Sequence, residues 1–369
     1  MPVGDRNASR HRRTSSRESR RQRLLIVGPS WVGDMVMAQS LFIALRERFP
    51  EAPIDVLAPA WSQPILERMP QVDEAIVMPV GHGSLELGKR WRLAQVLAKK
   101  GYSAAYVLPN SFKSALIPLF AGIPQRVGWR GEMRFGLLND IRLLDKARYP
   151  LMVERFVALA YPDHTPLPET LPRPRLQVDA AGVADLLENQ GLSLDRPVLA
   201  LCPGAEFGPA KRWPERHFAS LAQTLIERGW QVWLFGSDND RAVATQIIEL
   251  LGDDTGAHSR NFTGQTTLAQ AIDLLSCATA VVSNDSGLMH IAAALGRPLV
   301  ALYGSTSPAF TPPLAERVET LAIPVDCGPC FQRQCPRGDL KCLTELLPAM
   351  VVAALERLQD SSISEVGEG

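Results

Sequence analysis

The chain has 369 residues, 46% of them hydrophobic and 21% charged, with a formal net charge of zero. That length is too great for one ordinary core and implies two domains of about 150 residues each. Neutrality removes bulk electrostatics as a route to nucleic acid, and no apolar run reaches the roughly 18 residues that a membrane-crossing helix needs.

Residues 1–23 are a different material from the rest. Arg6, Arg10, Arg12, Arg13, Arg17, Arg20, Arg21 and Arg23 stand among Ser, Asn and Gly. Such a stretch has little to bury and is expected to be a disordered basic tail, suited at most to anionic lipid head groups. It lacks the apolar region of a secretory signal, so a cytoplasmic protein is expected.

From residue 24 the pattern alternates strand and helix. LLIVG (24–28) reads as a strand, PSWVGD (29–34) as a tight loop, and 35–49 as a helix. Further strands are expected at 54–59, 74–80 and 103–109, with a helix near 88–100. The segment 162–175 is dense in proline and reads as a connector, giving a first domain over 24–175 and a second over 176–343. In the second, strands are expected at 197–204, 230–237, 279–285 and 298–305, and helices at 214–229, 267–278 and 287–296. A closing helix is expected at 344–359, and a disordered tail at 360–369. This alternation predicts an α/β protein of two doubly wound, Rossmann-like lobes facing a central cleft.

In such sheets, ligands sit beyond the carboxyl ends of the strands. Three of those ends in the second lobe suit a nucleotide diphosphate. Asn284-Asp285-Ser286-Gly287 opens a helix, where small residues and backbone N–H groups favour an anion, with His290 one turn further in. The alternative is a capping Asp285 or Ser286 with His290 on the surface. Pro203-Gly204-Ala205-Glu206 through Lys211-Arg212-Trp213-Pro214 brings a lysine to a helix start without the Walker A spacing. Gly236-Ser237-Asp238-Asn239-Asp240 sets an acidic residue where a ribose is held in dinucleotide folds. In the first lobe, Asp34 follows the first strand and reads either as a general base or as a helix cap. The run 28–34 is not G-x-G-x-x-G, which weakens a nicotinamide reading. Lys113, Arg126, Arg130, Arg134 and Arg142, interleaved with Trp129 and Phe135, suit phosphates, carboxylates and sugar faces.

Four cysteines, Cys327, Cys330, Cys335 and Cys342, cluster at a spacing able to hold zinc or an iron–sulfur cluster; the alternative is a compact thiol-rich loop. Cys202 and Cys277 read as core.

Together, GPSWVGDMVMAQSL (28–41), PNSFKSALIPLFAGIPQRVGW (109–129), KRWP (211–214), SNDSGLMHIAAAL (283–295) and CGPCFQRQCPRGDLKCL (327–343) resemble the ADP-heptose:lipopolysaccharide heptosyltransferases of glycosyltransferase family 9. The resemblance spans residues 24 to about 357. It implies a GT-B fold and an inverting, metal-independent transfer of L-glycero-D-manno-heptose from ADP-heptose. The acceptor would be the first heptose of a lipid A–Kdo–heptose molecule at the inner face of the inner membrane. By the same resemblance Asp34 is the base and Lys211 stabilises the departing diphosphate. Asp285, Ser286, Gly287 and His290 line the donor phosphates and sugar, Asp240 holds ribose, and Thr266 lies near adenine. Lys113 and Arg126 meet the acidic acceptor. No cofactor and no nucleic acid partner is expected, and the protein is expected to be monomeric. Another two-lobed sugar transferase of envelope assembly, an NAD-dependent oxidoreductase and a non-catalytic binding protein are the alternatives.

Overall fold

A computed structural model describes residues 22–81 and 83–366. The expected tail at 1–21 and residues 367–369 lie outside the described residues. The chain divides into two compact units, residues 1–172 and 173–369.

The first unit is built on β1 (Leu24–Val27), β2 (Ile54–Ala58), β3 (Glu74–Val77), β4 (Ala104–Val107), β5 (Gln125–Trp129) and β6 (Asp140–Arg142). They form one sheet in the order β3-β2-β1-β4-β5-β6, and every pair is parallel. β1, β2 and β4 are buried throughout, as parallel strands covered on both faces must be. Helix α1 (Val32–Arg48) follows β1 and buries residues all round, from Met35 to Leu45. It starts two residues before Asp34, so the expected loop ends early and Asp34 lies in the helix's first turn. Arg23, grouped with the tail in the sequence reading, belongs to the fold. It pairs with the fully buried Asp55 at 2.8 Å, which Tyr102 also contacts through its hydroxyl at 2.5 Å.

The second unit repeats the plan with β7 (Val198–Cys202), β8 (Gln231–Leu234), β9 (Ser259–Asn261), β10 (Ala280–Asn284), β11 (Leu299–Tyr303) and β12 (Val318–Ala322). Its all-parallel order, β12-β11-β10-β7-β8-β9, is the first unit's order over again. Helices α2 (Glu215–Glu227), α3 (Leu268–Ser276) and α4 (Gly287–Ala294) connect these strands. Thr267 caps α3 in a reciprocal arrangement with Gln270. Trp213, Phe218, Leu234 and Val282 centre the core. The closing helix differs from expectation at both ends. It runs from Pro348 to Val366, because Pro348 disfavours helix at the residue before it and forces a fresh start.

In both sheets the strand order reverses beside the first strand, between β1 and β4 and again between β7 and β10. Crevices for ligands form at such reversals, outside the carboxyl ends of the strands. The residues that follow β1, β4, β7 and β10 are therefore the ones to inspect.

Candidate functional site

After β10 the chain turns through Asp285 and Ser286 into α4. Asn284, fully buried, bolts this turn to the loop after β7: its Nδ2 donates to Pro203 O at 2.7 Å, and its Oδ1 accepts from Trp213 N at 3.1 Å. That brace brings together residues 74 apart in sequence. Lys211 Nζ donates to Asp285 Oδ2 at 2.6 Å, with the carboxylate 5% and the lysine side chain 13% exposed. Thr306 Oγ1 donates to the same oxygen, also at 2.6 Å. Phe207 supports the ammonium, with its ring centroid 5.0 Å from Lys211 Nζ.

Three features thus meet at one sheet reversal. The first amides of α4 have no side-chain cap from Ser286, whose Oγ instead lies 3.3 Å from Ser283 Oγ. Gly287 at the first helical position adds no side chain over them. A lysine, held by a carboxylate and a hydroxyl, stands beside them. Helix amides without a side-chain cap, beside an oriented ammonium, suit a diphosphate. Through its Oδ2 the Asp285 carboxylate holds the Lys211 ammonium in place at the start of α4.

His290 does not lie on the surface, the alternative to its place beside the anion. It is buried, and burial pulls its pKa down to about 4, with Lys211 lowering it further and Asp285 acting in the opposite sense. At neutral pH the imidazole is uncharged and offers hydrogen bonds but no positive charge. The unfolded chain titrates near 6.5 and the folded one lower, so between those values the unfolded state binds the extra proton. Stability from this group is complete above pH 6.5 and is lost as pH falls toward 4, by up to about 3 kcal/mol. Denaturant midpoints at pH 7 and pH 5 should converge more for His290→Gln than for the wild type; equal losses would place the titration elsewhere.

Asp240 is also buried. Its Oδ2 accepts from Ser237 N at 2.9 Å and from Ser237 Oγ at 2.8 Å. Its Oδ1 makes no hydrogen bond and has Arg212 Nη2 at 3.5 Å. Gly204 is required here, since a Cβ would lie 2.4 Å from this carboxylate. Thr263 Oγ1, beside Gly236, is likewise buried without a hydrogen bond. An acidic residue just after β8 is the position that holds a ribose in dinucleotide folds. Thr266, half-buried, lies in the loop that leads to α3.

In the first unit, Asp34 is half-buried after β1. Lys113 lies in a single 3-10 turn after β4, its carbonyl accepting from Arg90 Nη1 at 3.2 Å. Both thus follow strands that flank that sheet's reversal. Arg126 does not. It stands at the amino-terminal end of β5, with its guanidinium donating to Leu137 O and Ile123 O, both at 2.6 Å. That end is opposite to the carboxyl ends where ligands sit in such sheets, and these two carbonyls occupy the guanidinium in this structure. Arg142 is similarly occupied by Asp140 and by the carbonyls of Ala158 and Tyr161.

The four clustered cysteines are free thiols lining one small cavity with Ala210, Gly304 and Ser305. Among the described residues no three Cys, His, Asp or Glu side chains are grouped to hold a metal ion. Burial, with the other three thiols next, raises the pKa of Cys342. The loop that carries them is tied to the neighbours of Lys211 and Thr306: Phe331 N donates to Ser305 O at 2.7 Å, and Ala210 N to Arg333 O at 3.1 Å.

The family model for glycosyltransferase family 9 (heptosyltransferase) matches residues 90–341. The chain is 51% identical over 341 residues to lipopolysaccharide heptosyltransferase 2 of Escherichia coli K12, covering 91% of this chain and 98% of that protein. It is 48% identical to lipooligosaccharide heptosyltransferase 2 of Haemophilus ducreyi, over 91% and 99% of the two chains. The solved structure of E. coli ADP-heptose lps heptosyltransferase II superposes with a TM-score of 0.84 at 49% identity, covering 92% of this chain and 99% of that one. With the same two parallel sheets and the same family signature over most of its length, this chain belongs to glycosyltransferase family 9, the heptosyltransferases.

Proposed function

We propose that the protein transfers L-glycero-D-manno-heptose, with inversion, from ADP-heptose to the first heptose of a lipid A–Kdo–heptose acceptor. The relatives carry the names of second-heptose enzymes, and the observation that supports the chemistry here is the Lys211–Asp285–Thr306 cluster beside the uncapped start of α4. Lys211 and the helix amides bear the charge that grows on the departing diphosphate, as fixed donors do best in a site closed to water. Asp34 takes the proton of the attacking hydroxyl. Asp240 Oδ1 receives a ribose hydroxyl, Thr266 lies toward adenine, and neutral His290 and Ser286 border the phosphates and sugar. Lys113 meets acid groups of the acceptor. In this reading the protein's own cation and amides neutralise the diphosphate, so turnover persists in excess chelator.

Among the described residues, no helix is long and apolar enough to cross a membrane. We place the enzyme as a monomer in the cytoplasm, working at the surface of the membrane that holds its acceptor. The direct test is incubation with ADP-heptose and a monoheptosylated Kdo–lipid A, followed by mass spectrometry. One added heptose with release of ADP is expected. An unchanged acceptor, or transfer only from a different nucleotide sugar, would refute the assignment.

A further inference from the structure

The loop that follows β5 in the first unit is built in an unusual way. Arg134 is completely buried, while its neighbours Met133 and Phe135 are 78% and 66% exposed. The guanidinium donates to Pro109 O at 2.7 Å, to Asn110 Oδ1 at 3.3 Å and to Trp129 O. Burial lowers its pKa to about 10, which leaves it charged at neutral pH. A buried charge is costly unless it is well paired, so this one is kept for what it holds in place. Glu132 completes the clamp: its N donates to Asn110 O at 2.9 Å and its carboxylate accepts from Phe112 N at 2.6 Å. Gly131 allows the close approach, because a Cβ there would lie 2.2 Å from Asn110 O.

The pinned loop cannot fold Met133 and Phe135 back into the core. Alternate positions point in and out, and the inward one is the arginine. Phe112, 41% exposed, is tied to the same loop. Arg130, exposed, opens the loop. The result is a set of apolar tips with a cation alongside.

We propose that Phe112, Met133 and Phe135 form a wedge that enters an anionic lipid bilayer, with Arg130 beside the head groups. Three side chains offer a few hundred Å² at most, well short of the ~800 Å² per partner that a stable protein interface buries. Insertion into a bilayer needs no matching surface, and a nearby cation favours anionic lipid. The inference deepens the proposed function, since it rests on an acceptor held in a membrane.

The test is flotation of the full chain with phosphatidylglycerol/phosphatidylethanolamine vesicles and with phosphatidylcholine vesicles, for wild type and for M133S/F135S. Wild type should float with the anionic vesicles, and the double variant should partition about tenfold less. Turnover on a delipidated, water-soluble acceptor should be unchanged, while turnover on vesicle-borne acceptor falls by a similar factor. Equal flotation of both proteins, or no flotation of wild type, overturns the wedge. So does an equal loss on the soluble acceptor, which would make the patch a sugar contact. Sedimentation of wild type as a dimer and of the variant as a monomer would assign the patch to a second copy. If wild type fails on the soluble acceptor, the heptosyltransferase reading itself is at fault, whatever the vesicles show.

Discussion

Asp34→Asn is expected to lower kcat by about 10²–10⁴-fold and to leave ADP affinity within a factor of two. The substitution keeps the shape of the side chain in the first turn of α1, so the fold should tolerate it. It loses the proton acceptor, and with it a carboxylate–helix interaction of about 0.3–1 kcal/mol. ADP binding is assigned wholly to the second unit, so calorimetric titration with ADP separates a chemical defect from a folding one. Turnover within threefold of wild type would show that another group takes the acceptor proton.

Lys211→Ala should be the more damaging change. It strips the charged partner from a carboxylate that is 5% exposed, leaving only the Thr306 hydroxyl on Asp285 Oδ2. Removing one member of a buried pair costs about 3–5 kcal/mol of stability. It also removes the cation assigned to the leaving group, so both ADP affinity and kcat should fall, the latter by about 100-fold or more. The double variant Lys211→Ala/Asp285→Asn tells the two effects apart. Neutralising the stranded carboxylate should recover most of the lost thermal stability and none of the turnover. Recovery of turnover along with stability would mean that Lys211 serves the fold alone.

These expectations rest on contacts of very unequal visibility in the amino-acid sequence. Strand ends are legible because apolar runs stop at proline and glycine, as VLALC does, or at small polar residues, as at the turn 284–287. The Lys211–Asp285 pairing was beyond local reading, since it exists only because β7 and β10 are neighbours across the sheet reversal. Thr306 was passed over for the same reason: it becomes a partner of Asp285 through the pairing of β10 with β11. The setting of Arg126 is not legible, because composition shows a cation among aromatics but not which end of a strand it occupies. The burial of His290 was legible in principle. Its neighbours, Leu288, Met289, Ile291, Ala292 and Ala293, leave that helix no polar face. The short edge strands β6 and β9 and the turn-length 3-10 segments carry too few residues for a period to show.

The cysteine loop gives the Lys211 cluster a back door. Its main chain is bonded to Ser305 and to Ala210, the immediate neighbours of Thr306 and Lys211, while its thiols line a cavity of their own. Alkylation of a thiol there is expected to disturb the loop and, through Ala210 and Ser305, the setting of Lys211. Loss of turnover on treatment with a small electrophile, undiminished by excess ADP, is the expected result.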